Sequence, residues 1–200
     1  MDYDATLSFN GLQFGLLEGK CGLLIVKTGS GGTIYGHANK YLLLASQIHD
    51  RYDFSVIVGN NPLEVDATDN MEITMYVAKQ YSSSISMDIP VYYFGISKGA
   101  QYAAMYGYRY DWVAKWLLLN MPLMINWHRS SRGLSQLSEK QQMVIAFGEN
   151  DPSFPYSELI DIIGKENISK VIIPKANHNF SQSMDDFMAL PEEFLFQWTK

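Results

Sequence analysis

From residue 20 onward, short uninterrupted apolar runs alternate with longer segments whose apolar residues recur at helical spacing, and glycine or polar turns separate them. The runs at 22–26, 54–58, 91–94, 116–119, 143–147 and 170–173 predict six core strands. Most are continuous rather than alternating, which is expected of parallel strands buried on both faces. Segments 39–51, 71–82, 98–106, 156–165 and 191–198 carry the helical periodicity between and after them. Ahead of this rhythm, residues 5–17 contain Asn10-Gly11, a strong hairpin turn. The predicted fold class is therefore α/β, a mostly parallel central sheet with helices on both faces and an N-terminal hairpin. Its 200 residues can bury one good core and are short for two, so 1–200 is read as a single domain.

Composition narrows the function. With a formal net charge of -6 the chain offers no basic surface for a polyanion, which argues against nucleic acid and acidic membrane as partners. Met1-Asp2-Tyr3-Asp4 lacks the basic and apolar regions of a secretory signal, and no apolar stretch approaches a membrane span. The lone cysteine, Cys21, excludes an intrachain disulfide and reads as a packing residue. Together these predict a cytoplasmic protein with no membrane insertion. Oligomeric state is not legible.

The chemistry concentrates at the ends of three predicted strands. Gly95-Ile96-Ser97-Lys98-Gly99 follows the 91–94 run and precedes a helical segment, giving G-x-S-x-G in a strand-turn-helix setting. A nucleophile on so tight a turn needs small neighbours, so that adjacent backbone can pass closely. Beyond the 143–147 run, Gly148-Glu149-Asn150-Asp151-Pro152 places an acid just past a strand end, and beyond 170–173 the loop reaches Asn177-His178-Asn179. Ser97, Asp151 and His178 thus follow in the order Ser, Asp, His, at the sheet edge where ligands of open α/β sheets sit. Glu149 is a rival acid two positions from Asp151.

On these motifs the chain resembles the α/β-hydrolase superfamily from about Gly22 onward. The segment Val26-Lys27-Thr28-Gly29-Ser30-Gly31-Gly32 falls where those enzymes carry a His-Gly oxyanion loop, with Thr28 in place of the usual histidine. The resemblance implies Ser97 as nucleophile, His178 as base and Asp151 as its orienting acid. It also implies an oxyanion hole from the backbone N–H groups of Ser30 and Lys98, with Gly31 as second choice for Ser30. Only residues 120–142 occupy the interval where relatives insert a cap, so no cap domain and a rather open cleft are expected.

Gly31, Tyr35, His37 and Trp127 are candidate pocket-lining residues, with Tyr41 and Met124 as further apolar walls. His49 reads as a helix-end residue and His128 as a rim residue. No His/Cys cluster or H-E-x-x-H pair occurs, so neither metal nor cofactor is expected. The glycine loop does not complete a dinucleotide fingerprint or a P-loop. The implied function is a carboxylesterase-like serine hydrolase acting on a small-molecule acyl substrate, an ester or else a thioester or small amide. The alternatives are an inactive hydrolase-fold binding protein and an acyltransferase.

Overall fold

The apolar runs assemble into one eight-stranded sheet in the computed structural model, which describes residues 2–85 and 88–197. The strands are β1 (Ala5–Phe9), β2 (Leu12–Leu17), β3 (Gly22–Lys27), β4 (Phe54–Gly59), β5 (Val91–Ile96), β6 (Lys115–Leu119), β7 (Gln142–Asn150) and β8 (Ile168–Asn177). Their spatial order is β1-β2-β4-β3-β5-β6-β7-β8. β1 and β2 form the hairpin turned by Asn10-Gly11, and β2 lies antiparallel to β4. All remaining pairings are parallel.

Because successive side chains leave a strand on opposite faces, each continuous run feeds two apolar layers. Leu23, Ile25, Tyr93, Trp116, Leu118 and Ile145 enter one layer, beneath α2 (Ala67–Ile85), α3 (Lys98–Tyr106) and α4 (Trp127–Ser135). Leu24, Val26, Phe94, Leu117, Leu119 and Val144 enter the other, beneath α1 (Lys40–Tyr52) and α5 (Met184–Pro191). Doubly covered parallel strands account for the lack of polar alternation in the sequence.

The chain order reverses between β3 and β5: β4 lies on one side of β3 and β5 on the other. Loops leaving the C-terminal ends of β3 and β5 therefore diverge around a crevice, the usual ligand position in such sheets. Between β6 and β7 the described chain contains only the short helix α4 and no separate cap domain.

Two predicted helices differ in form. The segment predicted at 156–165 is a 3-10 helix over Phe154–Ile163, with Pro155 at its start and Gly164 ending it at φ 64°. The helix predicted from Pro191 begins earlier, at Met184, where Asp185 and Asp186 suit the positive end of the helix dipole. Pro191 is the last residue of α5, and a π-helical turn, Glu192–Phe196, follows it. Trp198, the predicted end of that helix, lies outside the described residues.

Candidate active site

Ser97 occupies the turn between β5 and α3 with φ 52° and ψ -113°, a conformation costly for a residue bearing a side chain. The two glycines of its motif make that turn possible. A Cβ on Gly95 would lie 2.8 Å from backbone atoms of Ala100, and one on Gly99 would lie 2.4 Å from the Lys27 carbonyl oxygen. Real Cβ contacts do not reach such distances, so helix α3 can approach the ends of β3 and β5 only where these positions are bare. Ser97 is the N-cap of α3, and its own amide donates to the Leu119 carbonyl at 2.8 Å. The Lys98 N–H follows as a first-turn amide, without an intrahelical acceptor and at the positive end of the helix.

The three chemistry-bearing side chains meet. The His178 ring places Nε2 3.2 Å from Ser97 Oγ and Nδ1 2.5 Å from Asp151 Oδ2. Asp151 has a fully buried side chain, while the His178 side chain is 39% exposed, so the arrangement is anchored from below and open to solvent above. The second Asp151 oxygen accepts the Ser153 N–H at 2.7 Å, which fixes the carboxylate plane. Glu149, the rival acid, is exposed and accepts the Lys175 backbone N–H at 2.8 Å. The geometry thus separates the two acids, because only Asp151 reaches the imidazole.

The loop of residues 28–32, after β3, comes against Ser97 at Gly29. A Cβ on Gly29 would sit 3.3 Å from Ser97 Cβ and 3.8 Å from its Oγ. Ser30 is exposed in the same loop. Gly31, the second choice for the oxyanion donor, is corrected by the structure: its N–H donates to the Asn61 carbonyl at 2.8 Å. Asn61 clamps this loop further, donating its N–H to Gly32 O at 2.9 Å and its side-chain amide to Thr28 O at 3.1 Å. Thr28 bonds the Gly32 carbonyl through its hydroxyl at 3.2 Å. Tyr41 is a core residue whose hydroxyl meets the Gly29 backbone amide, and burial pushes its pKa up to about 12.

The candidate lining residues are scattered. Tyr35 turns its hydroxyl to Asp2 and its ring to Tyr3 on the α1 side of the sheet, whereas Trp127 packs on the α2 and α3 side. The structure therefore does not gather these two into one wall. His37 and His128 are exposed, and His49 meets the Phe54 carbonyl at the end of α1. Met124 is 63% exposed on the loop after β6, which Gln101 pins by donating its buried amide to the Pro122 and Ile125 carbonyls. Among the described residues no cluster of side chains could hold a metal ion, and no helix is long and apolar enough to cross a membrane.

Sequence reasoning missed the asparagines beneath these loops, Asn61 and Asn120, and the buried Lys27. The available signal was a polar residue within a few positions of the end of an apolar run, at the C-terminal edge of the sheet.

No protein-family profile and no curated protein matches the sequence. Solved structures match the fold over nearly the whole chain. Est1E from Butyrivibrio proteoclasticus superimposes with TM-score 0.78 at 13% identity, covering 96% of this chain and 97% of its own. An alpha-beta serine hydrolase homologue from Coxiella burnetii gives 0.74 at 16% identity, covering 95% and 96%. A serine hydrolase without lid from Xanthomonas campestris gives 0.70 at 14% identity, covering 98% and 95%. The chain has the α/β-hydrolase fold without a cap.

Proposed function

We propose that this chain is a serine hydrolase that cleaves small carboxylic esters through an acyl-enzyme, with Ser97, His178 and Asp151 as its triad. The observation that carries the reading is the unbroken hydrogen-bonded line from buried Asp151 through His178 to Ser97. Neighbours of the same fold that are described as serine hydrolases support the reaction class.

In the forward step, neutral His178 takes the Ser97 hydroxyl proton at Nε2 while Oγ attacks the acyl carbonyl. Asp151 holds the ring with Nδ1–H directed to its carboxylate and stabilises the imidazolium that forms. The Ser30 and Lys98 amides receive the developing oxyanion. His178 then returns its proton to the departing alcohol. In the second half, His178 deprotonates a water that attacks the acyl-enzyme, and the acid leaves as Oγ is reprotonated. The exposed side of the His178 ring gives that water access to the site.

A fluorophosphonate probe and p-nitrophenyl acetate test the proposal together. Wild type is expected to be labelled and to turn over the ester, and Ser97→Ala to lose labelling and about four or more orders of magnitude of rate. Folded wild type that takes no label would instead identify a binding protein built on this fold. Labelling with almost no ester hydrolysis would point to transfer onto an acceptor other than water.

A further inference from the structure

Beneath the three loops lies a residue hydrogen-bonded to two of them and next in the chain to the carbonyl that holds the third. Asn120 follows the last residue of β6 and is fully buried, with φ 51°. Its backbone N–H donates to Ala146 O at 2.9 Å, and the preceding carbonyl, that of Leu119, accepts the Ser97 N–H at 2.8 Å. Its side-chain oxygen accepts the Gly148 N–H at 2.8 Å, at the start of the segment that carries Asp151. Its side-chain nitrogen donates to the His178 carbonyl at 3.1 Å and to the Asn177 carbonyl at 3.4 Å.

The choice of an amide follows from these partners. One face must accept from an N–H and the other must donate to two carbonyls, which neither aspartate nor leucine can do. β7 and the end of β8 are also pressed together here, since a Cβ on Gly148 would fall 2.5 Å from Ala176 O. With Gly148 and the histidine loop tied to one side chain, the Asp151 carboxylate and the His178 ring share a common floor with the Ser97 turn. A strained, buried polar residue persists only where its surroundings over-determine it, and such residues gather at functional sites.

We propose that Asn120 is a positioning residue for the triad, setting the height of the His178 imidazole relative to Ser97 Oγ and Asp151. This inference rests on the triad reading above. It assigns Asn120 no contact with substrate; its effect passes through His178.

Asn120→Gly and Asn120→Asp test it. Glycine removes the side chain while relieving the backbone strain, which offsets part of the stability lost with its hydrogen bonds. Aspartate keeps the acceptor for the Gly148 N–H and loses both donors. In each variant that melts cooperatively, kcat on p-nitrophenyl acetate and the rate of fluorophosphonate labelling are expected to fall together by ~10- to 100-fold, the scale of a small misplacement of reacting groups. KM should change far less than kcat. The downfield proton resonance of the His178 Nδ1–H shared with Asp151 should broaden or disappear in proportion.

If the wild type is labelled and either folded variant keeps its kcat, labelling rate and resonance, the positioning role is overturned while the triad stands. If the folded wild type is not labelled and shows no such resonance, the triad reading itself fails, and the inference with it.

Discussion

Lys27 is the last residue of β3, and its side chain turns inward: it is fully buried, and Nζ donates to the Asn60 carbonyl. Burial lowers its pKa from 10.5 to about 7. At ~1.4 kcal/mol per tenfold change, that difference corresponds to about 5 kcal/mol of cost for carrying the ammonium into the fold. Methionine matches the unbranched length without the charge, so Lys27→Met removes this cost but leaves Asn60 O without its donor, an opposing term of about 1–3 kcal/mol.

The balance depends on pH. Below about 7 the lysine is protonated in both folded and unfolded chains, and the whole cost is present. Between 7 and 10.5 the unfolded chain binds the extra proton, so wild-type stability rises with pH through that interval. Lys27→Met is therefore expected to stabilise the protein by roughly 2–4 kcal/mol at acidic pH. Its advantage over wild type should shrink by about 3 kcal/mol by pH ~9.5, leaving the two nearly equal or the variant weaker. Urea unfolding of both proteins at two pH values, ~6 and ~9.5, isolates the effect, because other titrations largely cancel in the difference between variants. A variant less stable than wild type at the lower pH, or a stability difference that does not move with pH, would refute the reasoning.

At the proposed triad, Asp151→Asn should lower kcat by roughly 10³- to 10⁴-fold with the fold intact, whereas Glu149→Gln should leave most activity in place; ester kinetics compare the two directly, and a larger loss in the glutamate variant would reverse the assignment. Gly99→Ala should force α3 away from Lys27 O, lowering stability by about 1–3 kcal/mol and reducing labelling of Ser97 more than the stability loss alone explains, as thermal melts and probe labelling on the same samples would record.

The sheet was legible because its physics is local. Continuous apolar runs such as 91–94 and 116–119 can satisfy both faces only in a doubly covered sheet, and all six predicted core runs fall within observed strands. Strand ends were less legible: β7 extends to Asn150 and β8 to Asn177, polar positions where backbone pairing continues after the apolar core has stopped. Lys27 was missed for the related reason that a lysine after an apolar run looks like the first residue of a loop. Its direction is set by the β3 pleat, which sends it to the same face as Leu23 and Ile25.

Ser97, Asp151 and His178, whose side chains the structure brings together, could be picked as candidates from the sequence because each residue type advertises a reaction and each follows a strand. The supports beneath them advertise nothing: asparagine after a strand is an ordinary turn former. What makes Asn61 and Asn120 informative is the company that topology brings them. Asn61 reaches Thr28 across 33 positions of sequence because β3 and β4 are adjacent, and Asn120 reaches the histidine loop across 58 because β7 and β8 close over the end of β6. An amide can accept on one side and donate on the other, so a single side chain can join backbone groups of separate loops that could not pair directly. In a fold whose candidate reacting atoms all hang from loops, a buried amide placed as Asn120 is would, on the proposal above, keep an imidazole within hydrogen-bond reach of an alcohol. Because the choice among asparagine, serine and aspartate at these positions depends on strand order rather than on neighbours in the chain, it becomes readable only when the sheet has been ordered.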